Sequence, residues 1–247
     1  MGNTFFQFKQ FTVHQQFCAM KVSTDACIFG AATAEVFATK ELQAIESSTN
    51  YLDIGTGTGL LSLMLAQKTT AFIDAAEIDT AAYEQARENF TASAFKERLS
   101  IYNTDILQFG GNKKYNGIIC NPPFFEGDLP SPDKKKNAAK HDTTLTLQQL
   151  LKIACSLLKE NGLLAVLLPH RRVAEFEKNA SALSFYLHKK ILLQHTLQHP
   201  CFRAILFLSN IKTISTTKEL VIKNEDDTYT DACILLLKDY YLHLQAE

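Results

Sequence analysis

From Tyr51 onward, short apolar runs alternate with segments of helical pattern. Tyr51-Leu52-Asp53-Ile54 stops at a glycine-rich turn, and residues 60–67 (LLSLMLAQ) read as a buried helix. Residues 71–78 (AFIDAAEI) predict a second strand, with a helix over 80–90 (TAAYEQARENF) behind it. Residues 99–105 (LSIYNTD) and 115–120 (YNGIIC) give the third and fourth strands. Thr146-x-x-Gln149 is a capping-box start for a helix over 147–160, ended by Asn161-Gly162 in the manner of a C-cap. Residues 163–169 (LLAVLLP) then form a fifth strand, apolar throughout and stopped by Pro169. Strands alternating with helices imply parallel pairing with both sheet faces covered, and the unbroken apolar character of the fifth strand agrees.

Past residue 183 the pattern changes. Residues 185–197, 202–209 and 219–223 read as consecutive strands with no helix between them, so an antiparallel hairpin is expected to close one edge. Residues 229–244 predict a final amphipathic helix. At the other end, Phe5, Phe6, Phe8 and Phe11 read as core or sheet covering rather than as a base-stacking surface. No internal repeat occurs, and residues 126–142 are the one long polar stretch. The expectation is an α/β chain of one domain, with residues 1–50 an N-terminal extension, 51–169 the core and 170–247 a strand-rich end.

Composition narrows the classes. With 46% hydrophobic residues among 247, the chain can bury a large core, and a formal net charge of −1 supplies no global positive field. A nucleic-acid partner would therefore need a local patch. Lys134, Lys135, Lys136 and Lys140 offer one, and residues 170–203 hold six Lys or Arg and four His against two Glu. Six cysteines without a C-x-x-C pair match neither a zinc site nor a disulfide framework, so reduced thiols, a cytoplasmic setting and no metal are expected. The N-terminus lacks the pattern of a secretory leader. Phe6 stands where myristoylation after Met1-Gly2 needs Ser or Thr. No apolar run nears the roughly 18 residues that span a bilayer.

The chemistry gathers at strand ends. Gly55, Gly57 and Gly59 follow the first strand directly, where missing Cβ atoms permit a tight turn and close approach of a ligand. Their spacing is G-x-G-x-G, which departs from the G-x-G-x-x-G dinucleotide fingerprint and argues against a nicotinamide cofactor. Glu77 ends the second strand 18 residues after Gly59, where a carboxylate accepts bonds from both ribose hydroxyls. Asp105, after the third strand, can accept from an adenine amino group, and Asp53 can meet an ammonium group. These residues resemble the S-adenosylmethionine-dependent methyltransferases. Gly55, Gly57 and Gly59 match the family's motif I, Glu77 its motif II and Asp105 its motif III. The resemblance implies a Rossmann-like, mostly parallel seven-stranded sheet with an antiparallel strand near 203–209.

Ile118–Phe125 (IICNPPFF) follows the fourth strand, and two consecutive prolines end it because neither can donate to a ladder. An aromatic amine or side-chain amide has a delocalised lone pair and is a poor nucleophile. The Asn121 side-chain oxygen and the Pro122 carbonyl can each accept one N–H, aim that lone pair and offset the developing positive charge. Phe124 can stack on a planar substrate, with Phe125 beside it. Asn121-Pro122-Pro123-Phe124 resembles motif IV of the amino-methyltransferases.

Residues 8–31 resemble the segment preceding motif I in the bacterial tRNA1(Val) adenine-N6-methyltransferases, through Phe8–Phe11, Cys18–Val22, Thr24-Asp25 and Gly30. The resemblance continues through 52–67, 118–125 and 139–151. It implies methyl transfer from S-adenosylmethionine to the adenine 3′ of the anticodon, with tRNA as partner and a monomer as the working unit. Lys21 and Thr24 then belong to motif X at the methionine end of the cofactor, Asn121 also borders the cofactor, and the Lys134–Lys140 loop holds the anticodon arm. Phe124 stands where that family often has Tyr, and Ala139–Asp142 reads AKHD for ARHE. A guanine-N2 rRNA methyltransferase, a release-factor glutamine N5-methyltransferase and a non-catalytic cofactor- or RNA-binding module are the alternatives.

Overall fold

The computed structural model describes residues 3–18, 20–39, 49–123 and 145–244. Phe124, Phe125, Lys134, Lys135, Lys136 and Lys140 lie outside the described residues.

An N-terminal hairpin, β1 (Phe5–Gln7) and β2 (Thr12–His14), precedes α1 (Thr24–Phe37). The alternating segment follows as β3 (Asn50–Ile54), α2 (Leu60–Lys68), β4 (Phe72–Glu77), α3 (Thr80–Ala92), β5 (Leu99–Asn103) and β6 (Tyr115–Cys120). Then come α4 (Leu147–Leu157), β7 (Leu158–Pro169), α5 (Val173–Ala182), β8 (Tyr186–Gln194), β9 (Arg203–Ser209), β10 (Thr216–Val221) and α6 (Asp231–Leu237).

Eight strands make one sheet in the order β10-β8-β9-β7-β6-β3-β4-β5. All run in one direction except β9, which pairs antiparallel with both β7 and β8. The expected hairpin is β8–β9. The chain builds one strand more than seven because the short link after Ser209 returns it to the starting end of β8, where β10 adds parallel to that strand's outer side.

Alternation along the strands divides the core in two. Tyr51, Ile73, Ile119, Leu163, Leu167, Ile205 and Phe207 face α1, α2, α6 and the N-terminal hairpin. Leu52, Ile54, Ile118, Leu164, Val166 and Leu206 face α4 and α5. Both faces are covered, so successive residues of β7 are all apolar, as its sequence reads.

Three expectations are corrected. The helix over 147–160 starts at its capping box, formed by Thr146 and Gln149, but ends at Leu157. Residues 158–162 open β7 instead. Asn161 is left-handed (φ 67°), but it sits where the β6–β7 register jumps from Tyr115↔Leu158 to Gly117↔Leu163. A Cβ on Gly162 would lie 2.9 Å from Leu158 Cδ2 and 3.0 Å from the Lys159 carbonyl, so Gly162 serves a bulge rather than a C-cap. The final helix covers only Asp231–Leu237, and the buried Tyr240 and Tyr241 follow it as a turn packed on the core. No described helix is long and apolar enough to cross a membrane.

Candidate active site

The parallel sheet brings the ends of β3, β4, β5 and β6 to one edge, with Ile54 paired to both Ala76 and Cys120 and Glu77 paired to Asn103. Gly55 and Thr56 leave β3 by donating their N–H groups to the Ala76 carbonyl at 2.9 and 3.2 Å. The turn is left-handed at all three glycines, with φ of 68°, 57° and 82°. They do different work. A Cβ on Gly55 or Gly57 would meet nothing within 4 Å, so a cradle lies open above both. A Cβ on Gly59 would lie 2.4 Å from Phe90 Cε1, so that glycine lets α2 start hard against α3.

Asp53 is fully buried beneath the turn. Its Oδ2 accepts from Thr56 Oγ1 at 2.6 Å and from Ser62 Oγ at 2.7 Å. Its Oδ1 has no partner among the described residues. Burial raises its pKa to about 6, against the lowering effect of those two hydroxyls, and the nearby Glu77 charge adds a smaller push upward. Glu77 Oε2 accepts from Gly57 N at 2.8 Å and Oε1 from Asp79 N at 2.9 Å. Each oxygen has a further lone pair beyond the one so used. Asp105 starts the short turn Ile106–Gln108, with Oδ1 accepting from Leu107 N at 2.9 Å. Ile78 follows Glu77 and Leu107 lies two residues after Asp105 in the chain, and both are half exposed.

Asn121 ends β6 on the same edge. Its Oδ1 is buried and has no hydrogen-bond partner among the described residues. Pro122 is buried and Pro123 exposed, so the double proline fixes where that carboxamide stands. Burial first, then the Asp53 and Glu77 charges, push the Cys120 thiol far up, placing the foot of Asn121 within their field.

The segment before α1 comes within the field of Glu77. Burial raises the Cys18 pKa to about 11, with Glu77 adding to it and Lys21 opposing. Lys21 Nζ donates to the Gln15 carbonyl, and Gln15 Oε1 accepts from Val22 N at 2.7 Å. Lys21 and Glu77 thus both act on the Cys18 thiol. Thr24 starts α1, and its hydroxyl interacts with Tyr241, whose phenol also bonds Cys27.

Sequence reasoning missed Asn89. It is buried on α3, where Nδ2 donates to the Thr58 carbonyl at 2.8 Å and to the His14 carbonyl at 2.9 Å, and Oδ1 accepts from His14 N at 3.0 Å. One side chain thus clamps the glycine turn to β2. A polar residue on the apolar stripe of 80–90 was the available signal. A cavity of about 510 Å³ at the outer side of β5, lined by Tyr83, Tyr102, Phe109 and Lys113, holds none of the acids at the glycine turn.

Residues 19–179 of the sequence match the family model "Methyltransferase small domain". A tRNA1(Val) (adenine(37)-N6)-methyltransferase of Dyadobacter fermentans is 39% identical over 245 residues, covering 97% of this chain and 98% of its own. The same-named proteins of Bacteroides fragilis and Pectobacterium carotovorum are 36% and 37% identical, over 99% and 97% of this chain and 100% and 94% of theirs. Among solved structures, a predicted O-methyltransferase of Agrobacterium tumefaciens superposes with a TM-score of 0.65 at 15% identity, covering 87% of this chain and 96% of that one. TYW2 of P. horikoshii, in complex with MeSAdo, gives 0.58 at 15% identity, over 84% and 72%. These two share the fold. The chain belongs to the methyltransferase small domain family and, within it, to the family of tRNA1(Val) (adenine(37)-N6)-methyltransferases.

Proposed function

We infer that the protein transfers a methyl group from S-adenosylmethionine to N6 of adenine 37 in the anticodon loop of tRNA1(Val), as a monomer in the cytoplasm. The observation that carries this reading is Asn121 Oδ1, just after β6, a buried acceptor without a partner among the described residues. An unsatisfied buried carbonyl costs stability, and a site that needs an N–H acceptor is a reason to keep it.

The residues fit the cofactor. Asp53 Oδ1 is a second buried acceptor without a partner among the described residues, suited to an ammonium group. The space over Gly55 and Gly57 admits a chain lying on the backbone. Glu77 would take the ribose hydroxyls and Asp105 the adenine amino group, with Ile78 and Leu107 against the ring. Lys21 stands over the methionine end. When bound, the cofactor supplies an electrophilic methyl on a sulfonium.

This chain's own residues then act on the acceptor. Asn121 Oδ1 and the Pro122 carbonyl each take one N–H of the purine amine, turning its lone pair toward the cradle. Positive charge grows on that nitrogen as the bond forms, and two fixed carbonyl dipoles meet it. The methylated amine is acidic, so its extra proton leaves to water and no strong base is required. Phe124 and Phe125 are the proposed stacking partners of the base, and Lys134, Lys135, Lys136 and Lys140 the proposed contacts to phosphate.

The test offers methyl-labelled S-adenosylmethionine with total tRNA, ribosomal RNA or release factor, then digests each acceptor. N6-methyladenosine from tRNA alone supports the reading. Label in guanosine or in a glutamine amide would replace it.

A further inference from the structure

β2 is tied to the glycine turn, and a short loop leads from it to α1. Asn89 Nδ2 donates both to the Thr58 carbonyl, between Gly57 and Gly59, and to the His14 carbonyl that ends β2. The next residue is Gln15, polar yet only 4% exposed. Its backbone N–H extends the hairpin by donating to the Thr4 carbonyl at 2.8 Å. Both ends of its side chain are engaged. Nε2 donates to the Asn3 carbonyl at 2.9 Å, and Oε1 accepts from Val22 N at 2.7 Å. That second bond closes the loop from Gln15 to Val22 on itself, and Lys21 Nζ donates to the carbonyl of the same Gln15.

We propose that Gln15 is a positioning residue for methyl transfer: by closing this loop it holds the Lys21 ammonium beside the glycine turn, where it meets the carboxylate at the amino-acid end of the cofactor. This rests on the reading above that S-adenosylmethionine is the methyl donor.

The charges of the edge call for such a group. Asp53, Glu77 and Asp105 suit the cofactor's donors, which are an ammonium, two ribose hydroxyls and an aromatic amine. The same acids repel its carboxylate. A cation has to offset them, and a short path leads from the glycine turn to Lys21. It runs from Thr58 to Asn89, from Asn89 to His14, through one peptide to Gln15 and across to the ammonium. A second observation, independent of that path, concerns Cys18, buried within the loop. Glu77 raises its thiol pKa and Lys21 lowers it, so both charges lie within reach of one sulfur.

Closure matters because a lysine side chain gives up much rotamer freedom when it is fixed. In the closed loop that freedom is lost on folding, before the cofactor arrives, and the ammonium is preorganised. An ammonium has three N–H donors, and the Gln15 carbonyl takes one. Lys21 is exposed while Cys18 is buried, so the thiol anchors the loop and the cation stays accessible to a ligand. Without the Gln15 Oε1 acceptor, Val22 N loses this bond and Lys21, one residue earlier, is no longer returned to residue 15.

The test titrates the full chain calorimetrically with S-adenosylhomocysteine, which carries the amino-acid end, and with methylthioadenosine, which lacks it. Lys21→Ala should weaken S-adenosylhomocysteine binding about tenfold, the effect of one lost hydrogen bond to a charged group, and leave methylthioadenosine binding unchanged. Gln15→Met keeps the length and burial of the side chain without its acceptor, and should show the same selective loss. Gln15→Asn, whose amide falls one carbon short of Val22 N, is the milder second variant and should do likewise. Adding either change to Lys21→Ala should weaken binding no further, since Gln15 acts through Lys21. Gln15→Glu returns an acceptor to Val22 N and should recover most of the affinity. Equal weakening of both ligands in the Gln15 variants, or additive losses in the double variants, would make Gln15 a structural residue only and overturn the proposal. Unchanged S-adenosylhomocysteine binding in Lys21→Ala would overturn it as well, while the reaction stands. Failure of the unaltered protein to bind either ligand would overturn the cofactor reading and the proposal together.

Discussion

Asn121→Ala should separate turnover from cofactor binding and stability. The Asn121 oxygen is already stripped of solvent and has no partner among the described residues, so removing it withdraws an acceptor without breaking a hydrogen bond seen among them. Loss of one preorganised group at developing charge lowers kcat about 10²- to 10³-fold, or about 3 kcal/mol. The stability change should run the other way or vanish, because an unsatisfied buried carbonyl costs about 1–3 kcal/mol that the variant no longer bears. Single-turnover methyl transfer to a tRNA transcript reads the first quantity, calorimetric titration with S-adenosylmethionine a second, and urea denaturation the third. The expected result is a collapsed rate, a cofactor affinity within about threefold of the original, reflecting less than about 0.7 kcal/mol, and a midpoint no lower than before. Asn121→Asp keeps an acceptor in place and should retain more turnover than the alanine variant. A rate changed less than tenfold, or a fall in cofactor affinity matching the fall in rate, would refute the assignment of Asn121 to the amine.

Gly57→Ala and Gly59→Ala should fail differently. The first meets open space and costs only the left-handed backbone, about 1 kcal/mol, but places a methyl in the cradle and should remove measurable cofactor binding. The second drives Cβ into Phe90 and should lower the denaturation midpoint by several times as much. Asn89→Ala abandons three hydrogen bonds between α3, β2 and the glycine turn. A loss of about 2–3 kcal/mol of stability, with kcat retained in the folded fraction, is expected in urea titrations. Asp53 supplies a pH signature, since burial lifts its pKa to about 6. A folded pKa above the unfolded value means that the folded state holds the extra proton. Its contribution to stability is therefore complete below the unfolded carboxyl range and is lost as pH rises to about 6. On the proposed contact of Asp53 with the ammonium group, cofactor affinity should weaken as pH falls through that value, and Asp53→Asn should abolish both dependences.

The sequence exposes its chemistry where backbone geometry demands particular residue types. Three left-handed positions between a strand and a helix require glycine, and a carboxylate closing the next strand has only one edge to face. Those features depend on local order and parallel pairing, and both were legible. Less legible were features decided by packing. The α1 helix is buried on nearly every side, so it carries no amphipathic period to read. Asn161-Gly162 has the residues of a helix end, yet the pull of β6 on residues 158–162 converts them to a bulged strand. The motif loop reading assigned one role to all three glycines, and only the proximity of Phe90 separates Gly59 from the others. Thr24, expected at the cofactor by resemblance, has its hydroxyl engaged with Tyr241, a partner more than two hundred residues away along the chain.

The central claim is geometric: the end of β6 presents a carbonyl pair that turns an exocyclic amine toward a methyl donor lying on the glycine turn. The most direct test is the structure of the protein with demethylated cofactor and an anticodon stem-loop. It should show the adenine amine donating to Asn121 Oδ1 and the Pro122 carbonyl, with the cofactor sulfur in line behind the nitrogen and the ribose on Glu77. A base whose amino group points away from residue 121, or a cofactor bound clear of Gly55 and Gly57, would contradict it.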